Sequence, residues 1–182
     1  MHKLFCIIGR TGVGKSTITK MVADDLKMTI LRSYTTRKMR DGETKENSDH
    51  IFIAPEDVER YRDDMVAYTE RAGYCSFATK KQLINSDLYI INPSGLYELE
   101  CKLKDADVEL IPIYITLPYY QNVTNAIKRG DLPTWRKNYE KENQEFADFE
   151  DSKTIFYRVL NNTTIEDAAE KIKNIIKWEG MK

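Results

Sequence analysis

Lys3-Leu4-Phe5-Cys6-Ile7-Ile8-Gly9-Arg10-Thr11-Gly12-Val13-Gly14-Lys15-Ser16-Thr17 carries the strongest structural signal in the chain. Lys3–Ile8 is an apolar run closed by a glycine. It reads as a buried strand, because a strand covered on both faces shows no polar alternation. Beyond Ser16, apolar side chains recur at Ile18, Met21, Val22 and Leu26, the spacing of one helix face. Between strand and helix, Gly9 to Ser16 fits G-x-x-x-x-G-K-[ST] without exception. Backbone N–H groups converging in a glycine-rich turn at a helix N-terminus offer fixed positive dipoles to an anion. Lys15 adds a point charge for the β and γ phosphates of a nucleoside triphosphate, and the Ser16 hydroxyl a ligand for Mg²⁺. Gly9, Arg10, Thr11, Gly12, Val13, Gly14, Lys15, Ser16 and Thr17 are therefore the expected cradle for ATP, with Ser16 on the metal.

The alternation continues outward. Leu88–Asn92, Leu110–Thr116 and Phe156–Leu160 read as further short strands, although Pro112 donates no ladder hydrogen bond. Helices are expected over Ser16–Met28, Pro55–Met65, Lys80–Asn85, Leu96–Lys104, Gln121–Arg129, Thr134–Phe149 and Thr164–Trp178. Thr29–Ser33, Ile51–Ile53, Val66–Thr69 and Tyr74–Phe77 are strand candidates, and Tyr34–Asp49 reads as exposed loop. Short apolar strands alternating with helices indicate an α/β fold with a mostly parallel sheet covered on both faces. A chain of 182 residues with no compositional break suits one domain. With 28 basic and 29 acidic residues it has no global attraction to nucleic acid or an anionic membrane. Its longest apolar runs fall far short of the roughly 20 residues that span a bilayer, and no leader precedes the first, so a cytoplasmic protein is expected. Cys6, Cys75 and Cys101 lack metal-type spacing, and Cys6 reads as a small buried hydrophobe.

Ser33-Tyr34-Thr35-Thr36-Arg37-Lys38-Met39-Arg40-Asp41-Gly42-Glu43 places two arginines three apart amid hydroxyl side chains. A planar guanidinium suits phosphate oxygens, so the pair can grip a second phosphate; on composition alone the stretch also reads as a solvated loop. Here the chain resembles the guanylate kinase family. Ser33, Thr35-Thr36-Arg37, Arg40 and Gly42-Glu43 carry that resemblance, with the glycine-rich loop, Asp49-x-x-Phe52, Gly95, Ile115-Thr116-Leu117-Pro118, Arg129-Gly130, Arg136 and Val159-Leu160-Asn161-Asn162. The resemblance implies a P-loop nucleoside monophosphate kinase fold. Its parts would be a five-stranded core over 1–33 and 86–182, an acceptor-binding insertion over about 34–85, and a lid over about 128–140. It implies ATP and Mg²⁺ as cofactors and GMP or dGMP as the acceptor. Ser33, Arg37 and Arg40 would hold the acceptor phosphate, and Arg129 and Arg136, with Lys15, the transferring group.

The chain departs from the family pattern where the acceptor base is read. His50 replaces a tyrosine, Ala67 a glutamate, and Cys75-Ser76-Phe77-Ala78-Thr79 a Tyr-Tyr-Gly-Ser/Thr run. Guanine's N1–H and amino donors need a partner, since each one left unpaired costs about 1–3 kcal/mol. Glu70, with Ser76 or Thr79, is the expected replacement, and His50 is expected to donate to the phosphate. The family's acidic pair becomes Ile90 and Asn92, leaving Asp87 or Asp49 to organise Mg²⁺, and Asn92 is expected among the acceptor-site residues. These changes leave open another (deoxy)nucleotide or a related phosphate ester as acceptor. They also leave open a catalytically weak binding module, against which the intact Gly14-Lys15-Ser16 argues.

Overall fold

A computed structural model describes residues 1–39, 42–71, 73–103, 107–152 and 157–181. In chain order the first half contains β1 (His2–Ile8), α1 (Lys15–Leu26), β2 (Ile30–Leu31), β3 (Ser33–Thr35), β4 (His50–Phe52), a 3₁₀ helix (Pro55–Asp64), β5 (Met65–Arg71), β6 (Tyr74–Thr79) and α2 (Lys80–Ile84). The second half contains β7 (Leu88–Ile90), α3 (Pro93–Lys102), β8 (Val108–Thr116), α4 (Tyr119–Arg129), α5 (Leu132–Asp151), β9 (Tyr157–Leu160) and α6 (Ile165–Gly180).

Five strands form one sheet in the order β2-β7-β1-β8-β9. Every neighbouring pair is parallel. The central position of β1 explains its unbroken apolar run. Leu4, Cys6 and Ile8 face a core shared with Leu96 and Leu99 of α3 and Phe146 and Phe149 of α5. Phe5 and Ile7 face the opposite core, with Ile18 and Val22 of α1 and Ala168, Ile172 and Ile176 of α6. Helices thus cover both faces, as the alternation of elements implies. Pro112 sits in the ladder with β1, opposite Cys6, and among the described residues the β8–β9 pairing runs from Ile113↔Tyr157. Phe156, expected to start the last strand, lies outside the described residues.

A second sheet runs β4-β3-β6-β5, with β3 parallel to β4 and antiparallel to β6. The strand expected over Thr29–Ser33 divides between the two sheets: Ile30–Leu31 pair with β7, while Ser33 begins β3. Tyr34 and Thr35, read from sequence as loop, join that strand because their backbone pairs with Phe77 and Ser76. Tyr34 also stacks against Phe77, at 5.3 Å between ring centroids. The helix expected at Pro55 is a 3₁₀ helix with no buried side chain, since its charged sequence offers no apolar stripe to dock. Gly130 ends α4 in the left-handed region at φ 71°.

Parallel strands aim their carboxyl ends one way. The glycine-rich loop after β1, Asn92 after β7, Leu117 after β8 and Asn161 after β9 therefore gather at one edge, the usual ligand crevice of such sheets.

Candidate active site

The loop after β1 is built to close tolerances. A Cβ on Gly9 would lie 2.7 Å from the Ile115 carbonyl oxygen, and one on Gly12, at φ +80°, 2.3 Å from Asn122 Oδ1. Lys15 Nζ donates to the carbonyl oxygens of Gly9 (2.6 Å) and Arg10 (2.9 Å), which holds the ammonium inside the loop. Two asparagines, neither assigned a role from sequence, carry the loop from outside. Asn122, 1% exposed, donates to the Thr11 carbonyl at 2.9 Å and accepts from Trp135 Nε1 at 3.1 Å. Asn161 donates to the Val13 carbonyl at 2.9 Å.

Helix α5 lies across the same loop. Glu142 accepts the Thr11 N–H at 2.7 Å, and Glu145, one turn on, accepts the Ser94 N–H at the start of α3 at 3.0 Å. Arg10, expected in the phosphate cradle, turns onto α5 instead. Its guanidinium lies over the Tyr139 and Phe146 rings and pairs with Glu150 at 3.4 Å, because the aromatic inner face of α5 offers it both a π surface and a carboxylate.

Two cavities meet at the loop. One, of about 650 Å³, is lined by Gly12, Gly14, Thr17, Asn125, Arg129 and Asn161 among others. The other, of about 220 Å³, lies between the loop and the second sheet, with Gly9 and Lys15 on its wall. Of the expected acceptor residues it brings together Ser33, His50, Ser76 and Asn92, and Thr69 lines it too. Ser33 Oγ and His50 Nδ1 are 2.8 Å apart. Ser76 Oγ lies 2.9 Å from Thr35 Oγ1. Tyr89 closes the floor; burial, helped by the neighbouring Cys6 thiol, pushes its phenol well above the usual range, so it stays a neutral hydroxyl.

Other expected residues lie elsewhere. Thr79 is buried as the N-cap of α2, where its hydroxyl accepts the Gln82 N–H at 3.2 Å. Glu70 is exposed and takes the Tyr68 hydroxyl at 3.2 Å, because strand alternation that puts Thr69 on the cavity turns Glu70 to the opposite face. Ala67 lines the cavity at the position where a carboxylate is expected from the resemblance. Arg37 lies over the Phe52 ring and makes paired hydrogen bonds to Glu43 at 2.6 and 2.7 Å. Arg40 lies outside the described residues. Arg129 lines the larger cavity and bonds to Asp131, whereas Arg136 is exposed and lines neither cavity.

For a cation, Ser16 and Asp49 supply hard oxygen donors, with Ser16 Oγ donating to Asp49 Oδ2 at 2.5 Å. Among the described residues no group of three or more His, Cys, Asp or Glu side chains stands ready to cage a metal. Mg²⁺ does not require one, since it keeps several waters and takes one or two protein oxygens beside substrate phosphates. The donor set fits that ion. No helix among the described residues is long and apolar enough to cross a membrane.

Comparison with known proteins agrees with this arrangement. The guanylate kinase of Mycoplasmopsis pulmonis is 30% identical over 97% of this chain and 95% of its own. That of Prochlorococcus marinus is 28% identical over 97% and 98%. The crystal structure of guanylate kinase from Anaplasma phagocytophilum superposes with a TM-score of 0.71 at 20% identity, covering all of this chain and 87% of that one, which shows a shared fold. The family model for guanylate kinase matches residues 1–179, and the chain belongs to that family.

Proposed function

We propose that this protein transfers the γ-phosphoryl group of ATP to a nucleoside monophosphate, with GMP and dGMP the first acceptors. One observation carries the reading: two cavities border one glycine-rich loop at different residues, Gly12 and Gly14 lining one, Gly9 and Lys15 the other. Such a layout suits a donor and an acceptor whose phosphates meet at the lysine. Phosphoryl transfer asks little covalent chemistry of a protein, so placement and charge supply most of the rate.

In this reading the larger cavity takes the ATP base and ribose, and loop N–H groups with Lys15 hold its phosphates. Ser16 is the residue that would hold Mg²⁺, which supplies neutralisation of charge on the β and γ oxygens. Ser33, His50 and Arg37 bind the acceptor phosphate, with Glu43 fixing the plane of the Arg37 guanidinium. Arg129 closes over the transferring group from the end of α4, and Arg136 joins it when residues of about 128–140 move as a lid. The second sheet, within the insertion of about 34–85, is the acceptor-binding part of a single cytoplasmic domain.

A different (deoxy)nucleotide is the second reading, and the smaller cavity favours it. Among the described residues lining it, the carboxylates are Asp49 and Glu142, both bonded at the loop end. At the sheet end stand Ala67, Thr69, Tyr74 and Ser76, and the neutral hydroxyls of the last three can pair with several bases. The test is ADP release from Mg-ATP, with and without a panel of ribo- and deoxynucleoside monophosphates. Acceptor-dependent ADP is expected, greatest with GMP or dGMP. Turnover with another base alone selects the second reading, and none with any acceptor sinks both.

A further inference from the structure

We infer that Asp49 is the carboxylate that orients the metal ion of the donor triphosphate, acting beside Ser16 from the second sheet. The inference rests on the ATP-binding part of the reading above. It starts from a shortage: at the end of β7, the strand next to β1, and just past it, the chain has Ile90 and Asn92, neither of which carries a charge. Asn92 is also occupied. Its Oδ1 accepts the Gly95 N–H at 3.2 Å, and its Nδ2 donates to Ser94 Oγ and Glu145 Oε1.

Two aspartates were open as replacements, and topology separates them. Asp87 precedes β7, and in a parallel sheet that places it at the edge opposite the glycine-rich loop, which follows β1. There it is structural: its Oδ2 accepts the Thr29 N–H at 2.7 Å and its backbone N–H donates to the Thr29 carbonyl. Asp49 lines the cavity that contains Lys15, and its Oδ2 lies 2.5 Å from Ser16 Oγ. A hydroxyl that donates its proton to a carboxylate keeps its lone pairs for a cation. The carboxylate is then within reach of the water shell that Mg²⁺ retains, where partners of this kind set orientation and affinity. Glu142, the other carboxylate on this cavity among the described residues, is bonded to the Thr11 N–H of the loop backbone.

Asp49 also ties the metal to the acceptor side. The next residue, His50, begins β4 and meets Ser33 of the neighbouring strand β3 at 2.8 Å. Metal bound at Ser16 would thus fix the strand pair that bears the acceptor phosphate ligands.

The test exploits a change of sign. Calorimetric titration of the full chain with a non-hydrolysable ATP analogue is run in Mg²⁺ and in EDTA for wild type, Asp49→Asn, Ser16→Ala and Asp87→Asn. Without metal the Asp49 charge opposes the triphosphate, so Asp49→Asn should bind the analogue as tightly as wild type or tighter. With Mg²⁺ the same variant should bind roughly 10-fold more weakly, a loss typical of groups that orient a metal's shell. Ser16→Ala should lose the Mg²⁺ gain as well, and Asp87→Asn should keep it. A wild-type Mg²⁺ gain retained within about 2-fold by Asp49→Asn overturns the proposal. So does equal weakening in EDTA, which would mean that Asp49 acts only on loop shape. Failure of the kinase reading would appear separately, as wild-type protein that binds the Mg²⁺-analogue complex yet makes no acceptor-dependent ADP.

Discussion

Gly12 shows how little room single residues have here. An alanine at φ +80° is strained by roughly 1–2 kcal/mol, and its Cβ would press on Asn122 Oδ1 and Trp135 Nε1. Gly12→Ala should lower the unfolding free energy by at least that much, seen as a lower denaturant midpoint at unchanged slope, and weaken ATP-analogue binding. Lys15→Ala removes the loop's point charge and should cost about tenfold or more in analogue affinity, as charge-assisted hydrogen bonds of about 1.5–3 kcal/mol imply. Arg37→Ala should raise the acceptor KM in steady-state assays. By stripping Glu43 of its paired donors, it should also cost about 1–3 kcal/mol of stability. Cysteine accessibility gives a further check. Cys101 is exposed, Cys6 and Cys75 are buried, and burial pushes the Cys6 thiol well above its ordinary range. A thiol reagent should therefore label Cys101 rapidly in native protein and all three only after denaturation.

At the scale of elements, α4 and α5 are the devices that shape the loop. Asn122→Ala would orphan both the Thr11 carbonyl and the buried Trp135 indole N–H, at about 1–3 kcal/mol for each group left unsatisfied. The expected outcome is a lower melting temperature together with a changed Trp135 fluorescence response to nucleotide. Several elements were legible from local pattern: β1 from its apolar run and α1 from the helical spacing of Ile18, Met21, Val22 and Leu26. Less legible was the break at Arg32, where one apparent strand feeds two sheets. Nothing local marks it, because the pairing partners, β7 and β6, lie far along the chain. The 3₁₀ helix at Pro55 kept its proline start signal but lacked an apolar face to make it α-helical.

Over the whole molecule, a donor and an acceptor that share one loop, as proposed, should register on binding as global stabilisation. A single ligand at 100 times its Kd adds about 2.7 kcal/mol. The ATP analogue with Mg²⁺ and the acceptor together should raise the melting temperature by more than the sum of their separate shifts, if Asp49 and His50 link the two sides as drawn. A strictly additive result in thermal denaturation would argue that the two cavities are independent.

The amino-acid sequence by itself determined the glycine-rich loop, the α/β layering and the family. Those rest on local chemistry: glycines where backbone must turn, a lysine and serine at fixed offsets, and apolar periods of two and 3.6. Only the tertiary structure decided which residues carry the loop and which line the acceptor side. Asn122 reaches Thr11 across 111 positions, Glu142 reaches it across 131, and Asn161 reaches Val13 across 148. Thr79 proved a helix cap, Glu70 the wrong face of its strand, and Asp49 the neighbour of Ser16. No period connects such pairs. Each depends on the parallel sheet bringing the ends of distant strands to one edge, a relation that exists only once the strands have paired.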